Sequence, residues 1–170
     1  MNKPILFHDI DGVLFGVFDG TFQLRPGVKV WLHWAHEHFE VVWLTSWPQA
    51  KIEQLLAVVY HEKFLKQSPT PQVKYANWSQ YASKAAWLSN AITKFDGLPP
   101  GGLGRDFFWI DDDMSAQEIE AYELPAHRCI HVSAHGSDVC DGCLINIPAR
   151  RVQWNFRKRQ ERFEPRHHFW

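Results

Sequence analysis

ILFHDIDGVLFG, residues 5–16, decides how the rest of the chain is read. An apolar run, Ile5 to Phe7 with His8 behind it, leads into Asp9, Ile10, Asp11 and Gly12. The run has the composition of a short buried strand, and the glycine marks a turn directly after it. Two carboxylates two positions apart at the end of a buried strand repel each other. Burying either one is costly unless a cation or a hydrogen-bond donor compensates. A purely structural strand end needs neither, so the pair asks what it faces.

The answer is sought outward along the chain. VVWLT (41–45), FFWID (107–111) and CIHV (129–132) read as three further strands. Between them lie helical patterns: RPGVKVWLHWAHEHF (25–39), a segment from Pro48 to about Tyr60, SQYASKAAWLSNAI (79–92) and SAQEIEAYEL (115–124). Ser79 is the expected N-cap of the third helix, and Asp113 is either a cap of the fourth or an additional ligand. Residues 12–24 suggest a small hairpin, residues 61–78 a loop with one short strand, and GLPPGGLG (97–104) a loop. Alternating strands and helices predict an α/β fold, a central parallel sheet with helices on both faces.

Ligands of such sheets bind at the carboxyl ends of the strands. Collected there are Asp9 and Asp11, then Thr45 and Ser46, then Asp111, Asp112 and Asp113. Carboxylates at that density need a counter-ion, and oxygen-only ligands point to Mg²⁺.

Composition sets the limits of this reading. At 170 residues the chain suits one core, taken as a domain over 1–149 followed by a tail over 150–170. Nine Trp, twelve Phe and four Tyr imply an aromatic-rich core or a surface that stacks on something flat. The net charge of −1 conceals a tail at +5 and a remainder at −6. Three cysteines do not suggest a disulfide framework, no apolar run is long enough for a bilayer, and the first residues lack a signal-peptide core. The expectation is a cytoplasmic protein without membrane contact.

DIDGVL after an apolar strand, VVWLTSW, Lys84 in the helix before the third strand, and FFWIDDD together resemble the four ordered motifs of the haloacid dehalogenase superfamily. The likeness spans roughly residues 5–133. It implies a Rossmannoid three-layer sandwich and a Mg²⁺-dependent hydrolase working through an aspartyl-phosphate. By the same resemblance Asp9 is the nucleophile and Asp11 the general acid and base. Mg²⁺ is held by Asp9, the Asp11 carbonyl and Asp112, with Asp111 or Asp113 assisting. Thr45, or Ser46 in its place, binds a phosphoryl oxygen together with Gly12, and Lys84, or Lys74 in its place, neutralises charge. Retention of Asp11 favours phosphoryl transfer over carbon–halogen cleavage. DGT at 19–21 mimics the first motif but follows no apolar strand and reads as a turn.

The short insertion between Gly12 and Arg25 leaves no room for a large cap domain, and an open site suits a phosphate on a macromolecule. Arg25-Pro26-Gly27 and FEVVWLTS resemble phosphatases of the RNA polymerase C-terminal domain. WLTSW with WIDDD is more similar to the phosphatase domains of RNA-repair proteins. The favoured substrate is therefore a phosphorylated RNA or DNA end. A nucleotidase, a phosphoprotein phosphatase and a non-catalytic Mg²⁺ and phosphate-binding module are the alternatives. The tail interleaves cations with Trp154, Phe156, Phe163 and Trp170, a pattern for binding nucleic acid or for docking on the domain. Cys129, Cys140 and Cys143 with a neighbouring histidine offer a structural Zn²⁺ site, against which stands the burial of Cys129 on a strand.

Overall fold

A computed structural model describes residues 3–18, 20–60, 70–94 and 106–132. Strand β1 (Ile5–His8) is followed by a hairpin, β2 (Phe15–Phe18) and β3 (Thr21–Leu24). Helix α1 (Val28–His38), strand β4 (Glu40–Trp43) and helix α2 (Gln49–Tyr60) come next. Helix α3 (Lys84–Lys94), strand β5 (Phe107–Asp111), helix α4 (Ala116–Ala121), a 3₁₀ turn at 126–128 and strand β6 (Cys129–His131) complete the order. The main sheet runs β4-β1-β5-β6, and every pairing in it is parallel.

Both faces of the sheet are covered, as continuous apolar strands require. Leu6, Phe108, Ile110 and Ile130 point to one side, where Trp31, Leu32 and Ala35 of α1 and Ile52, Leu56 and Val59 of α2 close over them. Ile5, Phe7, Phe107 and Trp109 point to the other, against Ala85 and Leu88 of α3 and Ile119 of α4. Strand alternation thus divides the apolar residues into two cores, one per face. Among the described residues no helix is long and apolar enough to cross a membrane.

Three details differ from the sequence reading. Helix α3 begins at Lys84, not at 79, and Ser79 is not its cap. The Asn77 side-chain oxygen takes both the Ser79 N–H (3.3 Å) and its hydroxyl (2.7 Å), holding that stretch in a local turn. Ser83 caps instead, its hydroxyl accepting the Ala86 N–H at 3.2 Å. Helix α4 is capped by Ser115, which accepts from Glu118 N–H, so Asp113 has no capping role. The short strand sought in 61–78 is a single parallel bridge between Tyr75 and Trp43, while residues 61–69 lie outside the description. So do the 97–104 loop, Cys140, Cys143 and the 150–170 tail.

Candidate functional site

The chain leaves β1 for β4 on one side and later returns to β5 on the other, so the end of β1 is a topological switch point. Asp9 sits there with its N–H on the Ile110 carbonyl (3.1 Å) and its Oδ1 accepting the Ile10 N–H (2.7 Å). His8 holds it from behind. Trp31 Nε1 donates to His8 Nε2 at 2.7 Å, which leaves His8 Nδ1 to donate to the Asp9 carbonyl. Burial lowers the His8 pKa to about 3, so this histidine is a neutral structural brace.

Asp111, the last residue of β5, lies beside Asp9, and Lys84 joins them. Lys84 Nζ donates to Asp9 Oδ2 at 2.5 Å and to Asp111 Oδ2 at 2.8 Å. Asp111 Oδ2 also accepts from Trp109 Nε1 (3.2 Å), and its Oδ1 accepts the Asp113 N–H (2.9 Å). Asp112 completes the group: one carboxylate oxygen each from Asp9, Asp111 and Asp112 falls within 4.8 Å of the others.

Glycine at position 12 makes this approach possible. Its φ is +65°, and a Cβ there would stand 1.9 Å from Asp112 Oδ2. Behind the turn, buried Arg25 donates to the Gly12 carbonyl at 2.5 Å. Its positive charge also acts on Asp112.

The electrostatics follow from this crowding. Burial first, and the Asp111 carboxylate second, raise the Asp9 pKa to about 6 against the pull of Lys84. Burial and Asp111 likewise raise Asp112. Burial alone would lower the Lys84 ammonium, but Asp111 and Asp9 together outweigh it and hold it above the ordinary lysine value. Three carboxylates around one ammonium favour a further positive charge. The donors are all carboxylate oxygens, brought together over a glycine that leaves room for them. That set fits a hard divalent cation such as Mg²⁺.

The remaining candidates surround this cluster unevenly. Half-buried Asp11 accepts from Trp47 Nε1 at 2.9 Å, and its carbonyl takes the Val13 N–H at 2.7 Å. Thr45 is buried just past β4, its Oγ1 accepting the Trp47 N–H at 3.3 Å, whereas Ser46 is exposed. Lys74 pairs with Glu40 at 2.7 Å, at the start of β4 and so at the opposite end of that strand from Thr45. Asp113 is exposed and contributes its backbone to Asp111. Cys129 is half-buried, its thiol donating to the Pro125 carbonyl and pushed up to about 11 by burial.

Residue-type reasoning missed the tryptophans around the site. Trp47 holds Asp11; Trp78 Nε1 donates to the Thr45 carbonyl at 3.0 Å and lies under Lys84 Nζ at 5.9 Å; Trp109 holds Asp111. The high tryptophan count was the available signal, but it carried no positions. Beside Lys84 a cavity of about 310 Å³ opens between α3, β5 and α4, lined among others by Trp78, Ser83, Asp113 and Glu118.

No family model matches the sequence, and no curated protein matches it.

Proposed function

We propose that the chain is a Mg²⁺-dependent phosphomonoesterase of the haloacid dehalogenase type, without a large cap domain, acting on a phosphorylated polynucleotide end. The observation that supports this most is the Lys84 bridge: one lysine, distant in sequence, neutralises both the strand-end Asp9 and Asp111. A nucleophilic carboxylate facing a phosphate dianion needs such charge compensation.

Asp9 and Asp112 would hold the cation, with the second lone pair of the Asp11 carbonyl, while Asp111 is largely engaged by Lys84, Trp109 and Asp113. When bound, Mg²⁺ supplies the positive charge that lets an anionic carboxylate meet an anionic phosphate. An Asp9 oxygen attacks phosphorus, and the bond from phosphorus to the ester oxygen breaks. Asp11 gives its proton to the leaving oxygen, then accepts one from the water that attacks the aspartyl-phosphate. Inorganic phosphate leaves and Asp9 is restored. Trp47 fixes the Asp11 carboxylate through its Nε1–H, and buried Thr45 stands at the adjoining strand end to receive a phosphoryl oxygen.

The test is Mg²⁺-dependent phosphate release from matched 3′- and 5′-phosphorylated oligonucleotides, mononucleotides and phosphopeptides. Release that favours an oligonucleotide and disappears in Asp9→Asn is expected. Release undiminished in Asp9→Asn would remove Asp9 from its role. Release from phosphopeptides alone would replace the substrate class.

A further inference from the structure

The hairpin carries an aromatic ladder that leads from the site to solvent. Val17 pairs with Phe22 and Phe15 with Leu24 across β2 and β3, so these four residues share one face. Phe15 and Leu24 pack on the core beside Trp47, while Phe22 and Val17 stand 60% and 44% exposed. The rings are close to parallel. Trp47 and Phe15 stack at 5.3 Å and 30°, Phe15 and Phe22 at 5.7 Å and 11°. Lys51 Nζ lies over the Trp47 ring at 5.9 Å.

Core packing does not account for Phe22, which leaves most of its surface in water. The inner end of the ladder is tied to the chemistry instead, because Trp47 Nε1 donates to the Asp11 carboxylate. The leaving group of a phosphomonoester departs on the side of the general acid, and the ladder begins there.

We propose that Phe22, with Phe15 and Trp47 behind it, is a stacking platform for bases of the strand whose terminal phosphate enters the site, with Lys51 placed to meet its backbone. This inference rests on the phosphatase reading above for the identity of the reacting phosphate. A flat ring offers every base a π-face, so the platform favours nucleic acid over other phosphates without selecting sequence. It sits on the side of the leaving group, so it discriminates by what is attached to the phosphate.

The experiment compares labelled trinucleotides carrying a terminal phosphate with abasic strands of the same length and charge, by anisotropy on the full chain. Binding is read in Asp9→Asn so that the phosphate stays in place, and phosphate release is read separately in the wild type. The base-bearing strand should bind about 10-fold or more tightly than the abasic strand, as expected for one base stacked on an aromatic ring. Phe22→Ala should abolish that difference with little change for the abasic strand, and Phe22→Trp should preserve it. Equal binding of the two strands, or an equal loss for both in Phe22→Ala, would overturn the platform. Phe22-dependent binding of a tyrosine-bearing phosphopeptide, with no preference between strands, would also overturn it, in favour of a protein partner. Absence of phosphate release from every substrate, with the base preference intact, would overturn the phosphatase reading and leave the platform standing.

Discussion

Lys84 stands in the first turn of α3, where the helix dipole disfavours a cation, and the two carboxylates it reaches make the position favourable. Its side chain is 16% exposed, so the pair is poorly screened. Replacing it by Met leaves Asp9 and Asp111 facing each other without compensation. In Mg²⁺-free buffer the Lys84→Met protein should lose on the order of 3 kcal/mol in denaturant titration. Added Mg²⁺ should restore more stability to this variant than to the wild type, and equal responses would contradict the shared-charge account. Gly12 makes a separate prediction. Alanine there meets both a left-handed backbone and the Asp112 carboxylate, at a backbone cost of about 1–2 kcal/mol. Displacement of Asp112 should raise the Mg²⁺ concentration needed for half-maximal activity. These two residues were legible to different degrees. Lys84 was marked by its place before the third strand, with Lys74 as a rival that only the fold could send to Glu40. The contact of Gly12 with Asp112 joins residues a hundred positions apart, and no local pattern encodes it.

The strands were legible at the level of elements because buried parallel strands are short uninterrupted apolar runs, and 107–111 falls as read. Helix starts were less so. Residues 79–83 have helical composition, yet the Asn77 side chain competes for the backbone and delays α3 to Lys84. Ser83→Ala should therefore cost about 1 kcal/mol as a lost cap, and Ser79→Ala less than about 0.5 kcal/mol, by chemical denaturation. The reverse order would restore the earlier helix start. The contact between α1 and α2 adds a pH dependence. Tyr60 and the Leu32 carbonyl meet His36 Nδ1 at 2.9 Å each, and Lys3 donates to the His36 carbonyl. Burial, with His33 and Lys3 as like charges, lowers the His36 pKa below 6.5. Below that value the unfolded chain takes up a proton that the folded chain resists. Stability therefore falls as pH drops from about 6.5 toward the lowered folded value, by at most ~1.4 kcal/mol per pH unit for this group. Thermal melts from pH 7 to 5 should show a shallower decline in His36→Gln than in the wild type.

Across the whole molecule, the alternation of strands and helices was enough to predict a parallel sheet and the carboxyl edge where Asp9, Asp111 and Asp112 meet, while the switch point at β1 needed the strand order. It was not enough to separate the acids by role. Position at a strand end treats Asp9, Asp11, Asp111, Asp112 and Asp113 alike; the motif resemblance alone gave them distinct expected roles, and packing turns Asp11 toward Trp47 and exposes Asp113. The aromatic excess was equally ambiguous until the rings took positions. Trp43 and Trp109 lie in the core, Trp47 and Trp78 at the site, and Phe22 at the surface. The proposed mechanism requires that Asp9 become phosphorylated. The measurement is to incubate the protein with Mg²⁺ and a phosphorylated oligonucleotide, quench it, reduce it with borohydride, and sequence the peptide over residues 5–16 by mass spectrometry. Homoserine at position 9, formed by reduction of an aspartyl-phosphate, is the expected result. Turnover with unmodified Asp9, or with the modification at Asp11 or elsewhere, would contradict it.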